Sequence, residues 1–479
     1  MLKTTLISCF LPLLVICFFA KAQPLQQTVP ATDSTAKLFV KEILIKGNKK
    51  TKEYIILREI QFKKGDSIPV ASIHKELELA KSLVYNTTLF SEIKIEYLVS
   101  SAYDIIVVVD VRERWYIYPV PQFKIVDRNI NEWIKTYDAS LKRVNYGLKF
   151  VHYNLSGRRD QLRLYFLNGF SRDFSFSYNA PYSNKALSEG FVVGAGYSQK
   201  KEIAYKTTFT DSLRFYTSDS LRSKFVGSSF YINAGYSMRR GFFNRHFFNA
   251  SFTRLTVSDS ILLPKNNPNY FNNGKASANV IELNYAWQYT NVNNVLYATK
   301  GKTAFVALSK KGLGFTGGIN AFTVEAGMNR YVDLGKKWYS SIQLTGKLRL
   351  PFYQAYINQR GLGYGDNYLR GQEYLVIDGV ATALVKSTLK KKLAEFRIKL
   401  PFKMRTLSYI PFTFFGKVYG DLGYAYNKTP FVSELNNKLL YTGGFGIDIL
   451  TFYDLNLRFE YSFNQLGQKG LFLHTQGGF

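Results

Sequence analysis

The segment 360–379, RGLGYGDNYLRGQEYLVIDG, concentrates glycine, tyrosine and one arginine, Arg370, in a chain that otherwise alternates apolar and polar residues. Glycine permits positive φ and close approach of two backbones, and arginine offers a planar fork that matches a carboxylate. A loop on the outside of a β-barrel has no need of this combination, whereas a loop folded back into the barrel does. The segment therefore predicts an inserted loop, and the alternative is a glycine-rich hairpin loop with a solvated arginine.

Two strand-like runs downstream supply the carboxylates that could receive Arg370. Glu395 lies in the run LAEFRIKLPF, on the face opposite to its apolar residues. The second run contains Tyr419-Gly420-Asp421-Leu422-Gly423, in which Tyr419, Asp421 and Gly423 share one face and the glycine leaves space for a loop tip. We predict that Arg370 pairs with Asp421, with Glu395 as a second partner. The alternative for Asp421 is a solvated carboxylate in the barrel lumen.

Residues 115–479 show no helical periodicity and consist of short alternating runs separated by turn clusters such as Asn154-Leu155-Ser156-Gly157. Strands of about ten residues with one apolar and one polar face are typical of a transmembrane β-barrel. At roughly 22 residues per strand and connection, the segment predicts a transmembrane antiparallel β-barrel of about 16 strands. A soluble β-sandwich is the competing fold. The aromatic content of 16% favours the barrel, because barrels carry aromatic girdles at both membrane interfaces.

The N-terminus has the features of a secretory signal peptide over residues 1–22, with a basic start, an apolar core and a small-x-small cleavage site. Residues 23–37 are polar and predict a flexible lead-in. Both cysteines, Cys9 and Cys17, lie inside the predicted signal. The sequence therefore excludes disulfides, thiol catalysis and cysteine-based metal sites from the mature chain.

Residues 38–114 predict a small α+β domain with the order strand, helix, helix, strand, strand. The predicted elements are strand 39–46, helix 51–61 with Thr51 as its N-cap, helix 69–85, and strands 93–99 and 104–111. This order, together with the turn at Gly47-Asn48 and the closing Val111-Arg112-Glu113-Arg114, resembles a POTRA domain, the periplasmic module of outer-membrane assembly proteins. The alternative is an unrelated small α+β domain.

The barrel segment resembles BamA/TamA-type outer-membrane proteins in three places. Tyr368-Leu369-Arg370-Gly371 resembles the Val-Arg-Gly-aromatic motif of the family's sixth external loop, and residues 393–402 resemble the strand after that loop. Residues 419–423 resemble the aromatic-x-Asp-x-Gly strand that receives the loop arginine. The resemblance implies an outer-membrane protein of a diderm bacterium with its POTRA domain in the periplasm. It also implies a loop-locking site made of Tyr368, Arg370, Gly371, Glu395, Tyr419, Asp421 and Gly423.

A lateral gate is expected where the first and last barrel strands meet. Pro119 and Pro121 remove two backbone donors from the first strand, and the chain ends Gly477-Gly478-Phe479, which gives the last strand few side chains. A weak seam could open and offer its edge to an incoming strand. The alternative is ordinary fraying at the chain termini.

The sequence contains no nucleophile elbow, phosphate-binding loop or zinc-protease motif, so we expect no enzyme and no cofactor. The four histidines lack ligand spacing along the chain, so we expect no metal, and one of them, His74, is expected at the surface of the second POTRA helix. The formal net charge of +29 suggests contact with anionic lipid or lipopolysaccharide, or with an acidic partner, and not with nucleic acid. Its alternative is solubility of exposed loops.

The resemblance implies a protein that inserts or translocates client outer-membrane proteins, with POTRA capture of the client, templating at the seam and possible accessory subunits in the periplasm. Two alternatives stay open. One is a two-partner-type secretion transporter for a dedicated exported protein, against which the single POTRA domain and the absence of a plug helix argue. The other is a passive outer-membrane channel or surface antigen.

Overall fold

The computed structural model describes residues 36–126, 134, 138–217, 224–313, 319–399, 409–428 and 433–476. The predicted signal peptide, nearly all of the lead-in and three of the predicted gate residues, Gly477, Gly478 and Phe479, lie outside these residues. The described chain consists of a small N-terminal domain followed by one large antiparallel sheet that curls into a barrel.

The N-terminal domain (residues 36–114) packs two helices against a four-stranded sheet. Its elements are β1 Lys37–Lys46, α1 Glu53–Leu57, β2 Ser67–Pro69, α2 Ile73–Tyr85, β3 Phe90–Val99 and β4 Asp104–Glu113. The strand order is β2-β1-β4-β3, with β1 and β4 parallel and the other pairs antiparallel. The predicted order of elements is confirmed, with the short strand β2 added before α2.

Helix α2 forms because apolar residues recur at helical spacing, and it buries Ile73, Leu77, Ala80 and Val84 against the sheet. His74 lies on the exposed face of this helix, as expected. The first helix differs from the prediction.

Helix α1 is shorter than expected, its N-cap residue is Lys52, and it has no side-chain cap. The predicted capping role of Thr51 is wrong, because its hydroxyl instead lies 3.0 Å from the Tyr116 hydroxyl and accepts a hydrogen bond from the Asn154 amide at 2.9 Å. Thr51 therefore joins the domain to the barrel and does not cap a helix.

The barrel contains sixteen strands in one sheet, which confirms the predicted strand number. They are β5 Ile117–Ile125, β6 Val144–Tyr153, β7 Gln161–Gly169, β8 Ser171–Ala180, β9 Glu189–Lys200, β12 Gly227–Arg240, β13 Asn244–Val257, β14 Ser277–Val292, β15 Gly301–Lys311, β16 Ala321–Gly335, β17 Trp338–Leu350, β20 Ala381–Lys399, β21 Tyr409–Tyr426, β22 Leu439–Leu450, β23 Asn456–Asn464 and β24 Lys469–Gln476. Two hairpins lie in loops between them: β10 Glu202–Thr207 with β11 Leu213–Thr217, and β18 Arg360–Leu362 with β19 Ile377–Asp378.

The strands alternate between an apolar outer face and a polar or crowded inner face. In β21, Lys417, Tyr419 and Asp421 are buried inside the barrel. Val418 and Leu422, which have the opposite parity, are exposed on the outside. This is the pattern of a sheet whose outer face meets hydrocarbon. Among the described residues, no helix has the length and apolar character to cross a bilayer.

Strand β20 begins much earlier than the alternation predicted. The run Lys390-Lys391-Lys392 hides the period, and a bulge between Lys392 and Ala394 shifts the register with β21. Only the second half of this strand was therefore visible as an alternating run.

Two buried ion pairs clamp the N-terminal domain to one end of the barrel. The guanidinium of Arg239, at the end of β12, donates to both carboxylate oxygens of Glu59 at 2.5 and 2.7 Å, and the Tyr182 hydroxyl donates to the same carboxylate at 3.1 Å. Arg114, at the end of the domain, pairs with Asp454 in the β22–β23 turn at 2.7 Å. All five residues are largely buried, so this end of the barrel and the domain form one packed unit.

Arg239→Ala should release the domain from the barrel at neutral pH. Removing the guanidinium leaves the buried Glu59 with only the Tyr182 hydroxyl and a 4.0 Å contact to Arg58, and losing the main partner of a buried charge typically costs about 3–5 kcal/mol. Spin-label distances between the domain and the barrel in detergent should broaden for this variant. The neighbouring exposed residue gives the control, Arg240→Ala, which should leave the distances sharp.

The same contact predicts how docking depends on pH. Burial by itself raises the pKa of Glu59, but the hydrogen bonds and positive charge of Arg239 outweigh burial and lower it. A lowered pKa contributes stability that is present above the unfolded value of about 4.3 and is lost only as pH falls through the folded value. Docking at pH 5 should equal docking at pH 7, and a domain already released at pH 5 would contradict this account.

At the opposite end of the barrel, three loops meet at Asp211 in the β10–β11 turn. Its carboxylate accepts hydrogen bonds from the Ser433 hydroxyl at 2.5 Å and the Leu435 backbone N–H at 3.0 Å. Its backbone carbonyl accepts from the Val376 N–H at 2.8 Å. Asp211 therefore ties the segment after β21 to the segment before β20.

Asp211→Asn should abolish the pH dependence of local stability at this end of the barrel between pH 5 and pH 7. Burial raises the pKa of Asp211 to about 6, and the hydrogen bonds from Ser433 and Leu435 only partly oppose it. A raised carboxyl pKa stabilises the fold most at low pH, and that contribution is lost as pH rises through 6. Amide exchange of residues 433–437, corrected for intrinsic rates, should therefore be faster at pH 7 than at pH 5 in the wild type. The variant should abolish this difference, and Asp366→Asn, at an exposed aspartate of the same end, should retain it.

Candidate functional site: a loop locked inside the barrel

The connection between β17 and β20, residues 351–380, folds into the barrel and is called the inserted loop below. Leu362, Leu369 and Ile377 are at most 1% exposed. They pack in one apolar cluster with barrel residues that include Leu384 and Leu440. The apolar residues of the segment can be buried only against the barrel wall, and this burial stabilises the inserted position of the loop.

Glycine is required at two positions where the loop touches the wall. A Cβ on Gly423 of β21 would lie 2.7 Å from the Leu369 side chain, closer than real Cβ contacts allow. Gly371 has φ +95°, and a Cβ there would lie 2.8 Å from the Cβ of Ser462 in β23. These two glycines let the loop tip lie against the inner face of the sheet.

Arg370 is the centre of the contact between loop and wall. Its Nε donates to Asp421 Oδ2 at 2.9 Å, its Nη2 donates to the other carboxylate oxygen, and its backbone N–H donates to Oδ2 at 2.9 Å. The remaining donors reach Thr388 Oγ1 at 2.9 Å and the Ser387 carbonyl at 3.1 Å. The guanidinium lies 4.1 Å from the centre of the Tyr419 ring. Arg370 and Asp421 are only 8% and 1% exposed, so the pair is held in a nearly dry site.

Further contacts tie the loop to the last strands of the barrel. The side-chain amide of Asn464, at the end of β23, donates to the Gly371 carbonyl at 2.9 Å. Tyr368 stacks on His474 of β24, with ring centroids 5.7 Å apart. The ammonium nitrogen of Lys386, on β20, lies 4.4 Å from the centre of the same tyrosine ring. Together with the apolar cluster, in which Leu440 belongs to β22, the loop packs against all five strands from β20 to β24.

Glu395 is not a partner of Arg370, and this part of the prediction is wrong. The structure pairs Glu395 with Lys392, and its side chain is 53% exposed. Glu395 lies on β20 well beyond Thr388, at about 3.3 Å per residue, which separates it from the loop by on the order of 20 Å. Strand parity placed Glu395 on the correct face but could not show its height along the barrel.

A second buried charge cluster beside the lock was not predicted. Lys417 of β21 contacts Asp448 of β22 at 2.5 Å and Glu460 of β23 at 2.6 Å, and the Tyr297 hydroxyl donates to the same aspartate at 2.8 Å. The available signal was parity, since Lys417 shares the inward face of Tyr419. The sequence does not show which strands lie beside β21, so it could not assign Asp448 and Glu460 as the partners of Lys417.

A cavity of about 360 Å³ remains between the lock and the opposite wall, lined by Tyr297, Tyr331, Lys386, Lys390 and Arg458 among others. At about 30 Å³ per water molecule, this space holds on the order of ten waters.

At the predicted seam, no backbone hydrogen bonds close the sheet over the described residues. The sheet runs from β24 at one edge to β5 at the other, and no ladder joins these two strands over their described residues. Pro119 and Pro121 lie in β5 opposite Phe150 and Leu148 of β6, so β5 is joined to the barrel on that side. Neither proline can donate a backbone hydrogen bond to a strand added at this edge.

Arg370→Ala should destabilise the barrel by about 3–5 kcal/mol, because it leaves the Asp421 carboxylate buried without a partner. Urea unfolding in detergent, followed by loss of the folded band in unheated electrophoresis, measures the change. Arg360→Ala is the matched control, since Arg360 lies in the same loop but is exposed. Removing both charges, Arg370→Ala with Asp421→Ala, should cost less than the single change, and equal losses in the two variants would contradict the argument from the stranded charge.

Comparison with known proteins bears on both parts of the chain. The family model POTRA, Surface antigen variable number repeat, matches residues 38–114. The structure is similar to CdiB from Escherichia coli, with 11% identity, a TM-score of 0.53, and coverage of 91% of this chain and 75% of that one. It is also similar to BamA from Haemophilus ducreyi lacking POTRA domains 1–3, with 14% identity, a TM-score of 0.49, and coverage of 92% and 85%. No curated protein matches the chain in sequence.

Proposed function

Because residues 38–114 are a POTRA domain and the chain has the POTRA-plus-barrel fold of the BamA/TamA-type superfamily, we propose that this protein inserts client β-barrel proteins into the outer membrane of a diderm bacterium. The observation that carries the proposal is the seam. Two strand edges, on β5 and β24, have no partner strand across the seam over their described residues. An unpaired edge is a template for strand addition, so a client hairpin can pair there.

The rest of the molecule supports this use of the seam. The inserted loop braces β20–β24 from the inside, and the N-terminal domain holds the other end of the barrel through Glu59 and Arg114. The sheet can therefore open at its edges while its body stays folded. The POTRA domain would receive the client by edge addition, and exchange of strand edges would supply the free energy without a catalysed reaction. We propose no enzymatic activity.

The partners follow from this role and from the charge. The clients are outer-membrane proteins, and the net charge of +29 favours contact with anionic lipid or lipopolysaccharide head groups at the barrel rims. Accessory subunits in the periplasm would bind the POTRA domain, and nucleic acid is not a partner.

A transporter for one dedicated exported protein is the second candidate, and the structural similarity to CdiB favours it. Transport would require a client in the lumen, whereas insertion requires a client at the seam. The inserted loop lies in the lumen, so transport would also require the loop to move.

Site-specific photocrosslinking in cells distinguishes the two candidates. A crosslinker at Leu473 of β24, which is 62% exposed, should capture several barrel proteins during their assembly. Phe230 of β12 is 41% exposed on the outer face far from the seam and should capture none. A crosslinker at Tyr331, which lines the lumen cavity, tests transport.

Capture of one large exported protein at Tyr331, with none at Leu473, would overturn insertion in favour of transport. Capture at neither position would overturn both candidates and leave a passive channel. Depletion followed by outer-membrane proteomics should agree with the crosslinks: many barrel proteins should fall together if the protein is an insertase, and Arg370→Ala should reproduce part of that loss.

A further inference from the structure

Three side chains from three separate segments converge where the loop meets the last strand. They are Glu373 of the inserted loop, Glu460 of β23 and His474 of β24, and one ligand atom from each lies within 4.8 Å of the others. His474 Nε2 is 3.3 Å from Glu373 Oε1 and 3.5 Å from Glu460 Oε2. The group is therefore a nitrogen facing two carboxylate oxygens.

Each carboxylate uses one oxygen for support and leaves the other for the cluster. Glu460 Oε1 accepts from Lys417 Nζ at 2.6 Å, and Glu373 Oε2 accepts from the Gly371 backbone N–H at 2.8 Å. The remaining oxygen of Glu460 has no hydrogen-bond partner, although the residue is 0% exposed. Burying a carboxylate oxygen without a partner costs free energy. A ligand bound to Glu460 Oε2 would remove this cost.

His474 Nε2 and Glu373 Oε1 are at the distance of a long hydrogen bond, and the same spacing also fits two ligands of one metal ion. A charge-assisted N–H···O bond is about 2.7–2.9 Å long, shorter than both contacts of His474. Two ligands of a tetrahedral zinc ion, each about 2.0–2.1 Å from the metal, lie about 3.3–3.4 Å from each other. The two distances from His474 are close to this value.

We propose that Glu373, Glu460 and His474 bind one divalent cation of the zinc class and that this ion fastens β24 to the inserted loop. Imidazole with carboxylates is a ligand set that suits Zn²⁺. The bonds from Lys417 and Gly371 hold the two carboxylates in place, as outer-shell partners do in metal sites.

Among the cations near the site, Arg458 lies opposite His474 in the β23–β24 ladder, and two others are held by partners of their own. Lys417 is shared between Asp448 and Glu460 Oε1, and Arg370 is bound to Asp421. The absence of ligand spacing in the sequence had suggested no metal. That argument applies to ligands on one local segment, whereas here Glu373 of the loop joins Glu460 and His474 of the last two strands, His474 being 101 positions further along the chain.

The ion would act on the seam, because β24 is its edge strand. With the ion bound, β24 is joined to the loop and, through Arg370, to β20 and β21. The edge could then leave the barrel only after this link breaks. The metal site itself goes beyond the proposed function and does not depend on it.

Zinc binding to the purified full-length protein in detergent, without an affinity tag, tests the site by calorimetry and by metal analysis after dialysis. Wild type should bind one Zn²⁺ per chain, and His474→Gln and Glu373→Gln should each weaken binding at least about tenfold. His246→Gln is the matched control, because His246 is another partly buried barrel histidine with one hydrogen-bonded partner, Tyr285. Unheated electrophoresis confirms that each variant is folded.

Amide exchange measures the link to β24 without any client. Zn²⁺ should slow exchange of residues 469–476 about tenfold in wild type and His246→Gln, chelation should reverse the effect, and Mg²⁺ should not reproduce it. No saturable binding at 100 µM Zn²⁺, or unchanged affinity in His474→Gln, would overturn the site. Binding without protection of 469–476 would overturn the link to β24. Since neither readout uses a client, either failure is distinguishable from failure of the proposed insertase function.

Discussion

The ion pair between Arg370 and Asp421 is the constraint on which the interior of the barrel depends. Removing both charges from water is expensive, and the attraction between them compensates only when the geometry is good and the other donors are satisfied. Here Asp421 receives three hydrogen bonds from one residue, and the remaining donors of the guanidinium reach β20. The pair therefore forms only when the loop, β20 and β21 are all in register, so it selects one arrangement of the three.

The two edges of the sheet are anchored to different parts of the molecule. The β24 edge is held from inside, through Asn464 and His474, by the inserted loop. The β5 edge follows directly from the N-terminal domain, where Thr51 contacts Tyr116 beside the start of β5. Moving the domain relative to the barrel would thus act on the β5 edge directly and, through Arg114 and Asp454, on the turn that leads into β23.

Sequence reasoning identified what depends on local pattern and missed what depends on distance across the fold. Parity placed Tyr419, Asp421 and Gly423 on the inner face of one strand, and the resemblance to the aromatic-x-Asp-x-Gly strand of BamA/TamA-type proteins then selected Asp421 as the partner of Arg370. The same parity could not give the height of Glu395 along the barrel, so its assignment was wrong. The cluster around Lys417 and the junction at Glu59 join segments far apart in the chain, and no local pattern shows such pairings.

Strand length varies around the barrel, and the free energy needed to separate two neighbouring strands varies with it. Over the described residues, the locked strands β20 and β21 are the longest, with 19 and 18 residues, whereas the edge strands β5 and β24 have 9 and 8, close to the 9 residues of β7 and of β23. Each residue of a ladder contributes backbone hydrogen bonds and cross-strand contacts, so a short edge strand separates from its neighbour at lower cost than a long central one. The lock lies where the ladders are longest, and the edges, where they are shortest, depend on contacts outside the sheet. Opening at the seam is therefore the least costly way to expose a strand edge in this fold, and it leaves the Arg370–Asp421 pair intact.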